Sequence, residues 1–217
     1  MCATEFGTYG NSIKDLQEFK VEEKSYSPEA EIMKMDKATH AANPNFRHIA
    51  ACCALNSFAK LKKAKTADGS GYEMTGSSTE GALKCFSAKL AKYDAKYGFE
   101  QAPLDYMTAI EQEVGEVALF EFSSERKTMS RAVTNYEGNN KNTVFLKGAS
   151  DRVLMKCNKI SCNGKSQKLT EADKKTIEDQ LTAKEKLGLR VLGIAYAPDG
   201  GNMKHLTSAN ASAEAAD

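Results

Sequence analysis

The stretch Phe120-Glu121-Phe122-Ser123-Ser124-Glu125-Arg126-Lys127-Thr128-Met129-Ser130 sets aromatic rings, carboxylates and two adjacent cations side by side. An aromatic face beside clustered positive charge suits a ligand with a flat ring and phosphates. The ring stacks, and the cations meet phosphate oxygens. Three more segments hold related chemistry: Gly76-Ser77-Ser78-Thr79-Glu80-Gly81-Ala82-Leu83, Val144-Phe145-Leu146-Lys147-Gly148-Ala149-Ser150-Asp151, and Leu189-Arg190-Val191-Leu192-Gly193-Ile194-Ala195. Singly, each has a plain structural explanation. A Phe in a strand belongs in a core, and Arg126 and Lys127 at a bend are solvated. Lys147 protects a strand edge. Glu80 favours a helix dipole, and Arg190 pairs with some nearby carboxylate.

The elements that must carry these segments follow from periodicity. Residues 16–21 alternate as an edge-type strand. Residues 25–45, polar and holding Pro28 and Pro44, read as a loop. Phe46, Ile49, Ala50 and Cys53 recur at helical spacing over 45–60. Residues 62–71 form a charged connection, and Tyr72-Glu73-Met74 a short strand. Gly76 to Glu80 feed a helix whose apolar face is Leu83, Phe86, Leu90, Tyr93 and Tyr97. Pro103 opens another helix, to Glu113.

Strands are expected over 116–123, 130–137 and 142–148, the last two joined by Gly138-Asn139-Asn140 as an antiparallel hairpin. A short helix follows over 149–157. Asn163-Gly164 marks a turn, and Thr170 with Asp173 caps a helix over 171–187, with Asp weaker than the usual Glu or Gln. A final strand spans 189–197. Helices fall between groups of strands. The fold class is therefore α+β, an antiparallel β-sheet flanked by helices. Residues 1–15 read as disordered or foreign to the domain, 16–197 as the domain, and 198–217 as a flexible end.

With 217 residues, 41% hydrophobic and 27% charged, the composition is that of a soluble globular chain. Thirty basic against 29 acidic residues leave +1, which argues against nucleic-acid partners and gives no steering to an anionic membrane. No apolar run is long enough to span a bilayer, and no secretory leader is visible. Cys2, Cys52, Cys53, Cys85, Cys157 and Cys162 form no CxxC pair and read as reduced, mostly buried cytosolic thiols.

Several enzyme classes drop out on motifs. There is no HExxH, no GxSxG, no GxxxxGK[ST], and Gly69-Ser70-Gly71 lacks the third glycine of a dinucleotide fingerprint. His40, His48 and His205 read as surface or satisfied histidines. No nucleophile or metal cluster emerges, so no catalytic or metal-binding residue is assigned.

Taken together and in order, the four segments resemble the nucleotide-binding domain of P-type cation-transporting ATPases. That family carries a Thr-Glu-x-Ala-Leu segment, a Phe-Ser-x-x-Arg-Lys-x-Met-Ser segment, a Lys-Gly-Ala segment and an Arg-x-Leu strand. The sarco/endoplasmic-reticulum calcium pump is the branch most similar, and Leu16-Gln17-Glu18-Phe19 and Tyr26-Ser27-Pro28-Glu29-Ala30-Glu31 resemble the start of its nucleotide domain. The resemblance runs from about Leu16 to Ala197. It implies that adenine stacks on Phe122, and that Lys147 floors the pocket. Gly148, with Ala149 next to it, admits the ring close to the backbone. Glu80, preceded by Thr79, accepts from the adenine amino group. Lys127 and Arg190 lie near ribose and phosphates, and Met129 and Leu192 are apolar walls. Alternation would set Arg190 with Leu192, and Phe120 with Phe122, on common strand faces.

Four positions depart from that pattern. Ser124 stands where the calcium pump has an Arg that would contact phosphate, Ser77 where it has a Glu, and Ser150-Asp151 replace Pro-Glu. The Asp-Lys-Thr-Gly-Thr phosphorylation motif is absent, as Thr4-Glu5-Phe6 precede Gly7-Thr8. The resemblance therefore implies an excised domain that binds ATP or ADP, as Mg-ATP in the intact pump, and does not complete hydrolysis or transport alone. Its partners would be the phosphorylation and actuator domains of the same pump. Its location would be the cytosolic face of the endoplasmic reticulum. Without domain closure, binding of about 0.1–1 mM is expected, roughly 4–5.5 kcal/mol. The competing expectations are a regulatory or interaction domain of the same fold that has lost nucleotide, and the equivalent domain of another P-type cation pump.

Overall fold

The computed structural model describes residues 1–22, 26–65, 71–97 and 104–207. Ser25, the connection at 66–70, Pro103 and the tail 208–217 lie outside the described residues. The chain divides into two compact units, Met1–Ile110 with Ser161–Lys165, and Glu111–Ile160 with Ser166–Asp217.

The first unit opens with strand β1 (Glu5–Tyr9), antiparallel to β2 (Leu16–Lys20). This corrects the reading of residues 1–15 as lacking order. Short α1 (Lys37–Ala42), capped by the Asp36 carboxylate at the Thr39 N–H, interrupts what read as one long loop. Helix α2 (Asn45–Leu55) ends five residues before the expected limit at Lys60, and β3 (Lys60–Lys63) pairs with β4 (Tyr72–Thr75). Helix α3 (Ser78–Ala91) is shorter than its apolar spacing suggested, since Tyr93 and Tyr97 follow its end.

Helices α2 and α3 approach closely because small residues face each other. Ala50, Ala51, Cys52 and Cys53 are buried along α2, and Ser87 on α3 donates from Oγ to the Ala50 carbonyl at 2.7 Å. Against them the rings of Phe6, Phe19, Phe46 and Phe86 cluster, with Phe6–Phe86 centroids 4.9 Å apart. Beside this core Arg47 grips Asp94 through two hydrogen bonds of 2.6 and 2.7 Å. Burial tends to raise the Asp94 carboxyl, but the Arg47 hydrogen bond, the Lys96 N–H and the Arg47 charge outweigh it and hold the group below its ordinary value. Helix α4 (Asp105–Glu113) buries Tyr106 and Ile110.

The second unit is built on a four-stranded antiparallel sheet in the order β10-β7-β6-β5. Its strands are β5 (Gly115–Phe120), β6 (Thr128–Thr134), β7 (Thr143–Ala149) and β10 (Leu192–Ala197). The β6–β7 hairpin forms as expected, with Asn135 and Glu137 in left-handed conformations at its turn. Helix α5 (Ser150–Lys156) packs on β7 and β10, with Val153 against Gly193. On the same sheet face as Gly193, Val117, Ala118, Ala132, Val144 and Leu206 form an apolar cluster. Leu206 is 3% exposed, so this part of the 198–217 segment is packed rather than loose.

Strands β8 (Lys159–Cys162) and β9 (Lys165–Lys168) flank the Asn163-Gly164 turn. Their tip returns to the first unit. Cys162 pairs with Tyr9 in parallel register, and Asn45 donates to the Ser161 carbonyl at 3.1 Å. Helix α6 (Glu171–Glu185) carries a complete capping box, Thr170 Oγ1 accepting from the Asp173 N–H and Asp173 from the Thr170 N–H. Asp thus serves fully where the sequence suggested a weakened cap. The architecture is mixed α/β, with antiparallel and mixed sheets flanked by helices.

Candidate functional site

Eight of the ten candidate residues belong to the second unit: Phe122, Lys127, Met129, Lys147, Gly148, Ala149, Arg190 and Leu192. Topology gathers them at one end of its sheet. There β5 ends at Phe120, β6 begins at Thr128, β7 ends at Ala149 and β10 begins at Leu192. Register then sorts the faces. Met129 lies opposite Lys147, and Lys147 opposite Ile194. Ala149 pairs with Leu192, two residues on along β7. Since alternate residues share a face, Met129, Lys147, Ala149 and Leu192 project from one side of the sheet.

Lys147 is 7% exposed on a central strand, which corrects its reading as an edge-protecting lysine. Met129, on the same face, is 1% exposed and so belongs to the buried core. Gly148 projects to the opposite face, where the space a Cβ would take is filled by the Lys127 carbonyl and Thr128. The close approach that needs glycine is therefore that of the neighbouring strand.

Two strand-face expectations are corrected. Phe122 lies beyond the end of β5 and is 58% exposed, so it does not share a strand face with Phe120 and is not a core residue. Arg190 precedes β10 in the connection from α6 and is exposed, so it shares no strand face with Leu192. Lys127 sits between the loop and β6 in a left-handed conformation, φ 54°. Its N–H donates to the Ser123 carbonyl at 2.7 Å, and its own carbonyl accepts from the Ala149 N–H at 3.0 Å. The backbone of Lys127 thus ties the Phe122 loop to the end of β7.

Thr79 and Glu80 belong to the first unit, in the opening turn of α3. Glu80 is half-buried, and its Oε2 accepts from the Phe58 backbone N–H at 2.9 Å. Phe58, 54% exposed, was not flagged by the sequence; no local pattern links it to a carboxylate 22 residues away. Ser77, the N-cap of α3, makes no side-chain cap bond. Ser124 is exposed in the turn that follows Phe122.

The arrangement can hold a flat, partly apolar ring against an exposed aromatic and place anionic groups near exposed cations. Among the described residues, no three carboxylate, imidazole or thiol side chains converge as a metal site. No helix among the described residues is long and apolar enough to cross a membrane.

Comparison with known proteins adds an independent line. The family described as P-type ATPase, cytoplasmic domain N, matches residues 45–215. Calcium-transporting ATPase 1 of Lactococcus lactis is 33% identical over 135 residues, covering 62% of this chain and 14% of that protein. Calcium-transporting ATPase 3, endoplasmic reticulum-type, of Arabidopsis thaliana is 27% identical over 213 residues, covering 90% of this chain and 20% of that protein. Calcium-transporting ATPase 1 of Bacillus cereus is 39% identical over 92 residues, 42% of this chain and 10% of its own length. The chain therefore spans a fifth or less of these relatives.

Proposed function

This chain belongs to the family of P-type ATPase cytoplasmic N domains, and on that premise we propose that it binds ATP or ADP for a calcium-transporting P-type pump. The observation that carries the reading is Phe122. A large aromatic held 58% exposed, at the sheet end that also bears Lys147, Lys127 and Arg190, lacks a folding rationale and suits a stacking platform.

In this reading the adenine ring stacks on Phe122. Lys147, Met129, Leu192 and Ala149 offer the adjoining sheet face, with Gly148 keeping Lys127 close. Lys127 and Arg190 take ribose and phosphates. For Glu80, preceded by Thr79 in the first unit, the family resemblance alone gives the role of accepting from the exocyclic amino group, where guanine has a carbonyl. Holding the nucleotide is this domain's share. The γ-phosphate goes to an Asp on a phosphorylation domain, and alignment by domain closure, with the actuator domain, supplies most of the rate. The full-length pump is proposed to lie in the endoplasmic reticulum membrane with this domain on the cytosolic face.

Titrating the labelled domain with ATP and then GTP, followed by NMR, tests the reading. Shifts at Phe122, Glu80 and Lys147 with ATP, and much weaker ones with GTP, are expected. No shift at any of the three up to several millimolar ATP would overturn it and favour an interaction domain that has lost nucleotide.

A further inference from the structure

Arg126 is exposed, yet its guanidinium folds back on its own loop. Nη2 donates to the Glu121 carbonyl at 2.5 Å, and Nε donates to Ser123 Oγ at 3.2 Å. The Arg126 backbone N–H donates to the same hydroxyl at 3.1 Å. These acceptors lie on the two sides of Phe122 in sequence. The ring between them is 58% exposed, so packing does not fix its direction. As a bend residue, Arg126 reads from sequence as a solvated cation, and the resemblance gives it no contact with the nucleotide.

We propose that Arg126 is a positioning residue that brackets Phe122 and aims its ring, rather than a ligand of the phosphates. The planar fork of a guanidinium suits this task. Two of its nitrogens reach a carbonyl and a hydroxyl two residues apart while the group stays rigid, which one ammonium cannot reproduce. The Lys127 N–H bond to the Ser123 carbonyl closes the same loop and ties it to β6. The clamp belongs to the free domain; its link to affinity rests on the nucleotide-binding reading above.

Adenosine and ATP affinities of wild type, Arg126→Ala and Arg126→Lys separate the two roles. Positioning predicts that both variants lose adenosine and ATP by the same factor, about three- to tenfold for two lost hydrogen bonds that order one loop. It also predicts that Arg126→Ala adds little in a Phe122→Ala background. Selective loss of ATP with adenosine unchanged, or restoration by Arg126→Lys, would overturn it. A ligand-free readout accompanies these: hydrogen exchange at the Lys127 amide should quicken in Arg126→Ala while the β6–β7 amides keep their protection. Unchanged exchange at Lys127 would refute the clamp by itself. If wild type binds neither adenosine nor ATP, the nucleotide reading fails, and the exchange result alone decides on Arg126.

Discussion

Gly148 and Lys127 are locked together by backbone. A Cβ at Gly148 would lie 2.4 Å from the Lys127 carbonyl oxygen and 2.8 Å from Thr128 Cα. Neither atom can swing aside as a flexible side chain would. The loop that bears Phe122 is thereby seated against the end of β7, and the Lys127 carbonyl, accepting from the Ala149 N–H, completes the junction.

Gly148→Ala should therefore cost about 1–3 kcal/mol, the usual penalty for overpacking where backbone must move. Urea unfolding of wild type and variant measures it. Because the displaced atoms belong to Lys127, nucleotide affinity should fall in the same variant. A fully stable Gly148→Ala with normal unfolding would show that the strands have room to part.

Phe122→Ala should separate stability from binding. The ring is mostly exposed, so the urea midpoint should move by no more than about 0.5 kcal/mol equivalent. ATP affinity should drop by about 1–3 kcal/mol, the scale of base–aromatic stacking. Urea unfolding and titration calorimetry on one preparation make the comparison. Loss of stability without loss of affinity would return Phe122 to an ordinary structural role.

Acid should weaken the first unit in two stages. Burial holds the His40 imidazole below its ordinary value, against the pull of Asp94 and aided by Arg47, and its Nε2 has no hydrogen-bond partner. A folded value below the unfolded one means that the unfolded chain takes up the proton first. Stability is then intact above about pH 6.5 and declines below it, by at most about 1.4 kcal/mol per pH unit. Asp94 has a depressed folded value. Its contribution is present above the unfolded carboxylate range and is lost only as pH falls through the folded value. Urea midpoints from pH 7.5 to 5 should fall in wild type and stay flatter in His40→Leu. An equal decline in both would remove His40 as the cause.

Local signals made much of this fold legible. The Thr170–Asp173 cap, the β6–β7 turn and the Asn163-Gly164 turn all announce themselves in residue type. Strand β1 did not, because it is short and holds Gly7. Strands β8 and β9, Lys159–Cys162 and Lys165–Lys168, carry too few apolar residues to alternate visibly. Alternation also overran two strand ends. It carried Phe122 into β5, although the chain leaves the sheet after Phe120, and Arg190 into β10, which starts two residues later. For the site, residue types came from a family resemblance, while burial of Lys147 and the Arg126 clamp depend on register and loop path. No single segment encodes those.

The return of Ser161–Lys165 to the first unit bears on how the chain is made. Asn45 donates to the Ser161 carbonyl, and Tyr9 waits for Cys162. When the ribosome has delivered Ile110, most of this unit is present, yet its edge beside β1 has no partner. Completion requires the next fifty or so residues, the first half of the second unit, to emerge. Such contacts, 116 positions apart for Asn45 and Ser161, form slowly. Until they close, β1 presents an open edge to other nascent chains. A gene cut at Ile110 would make that interim state permanent.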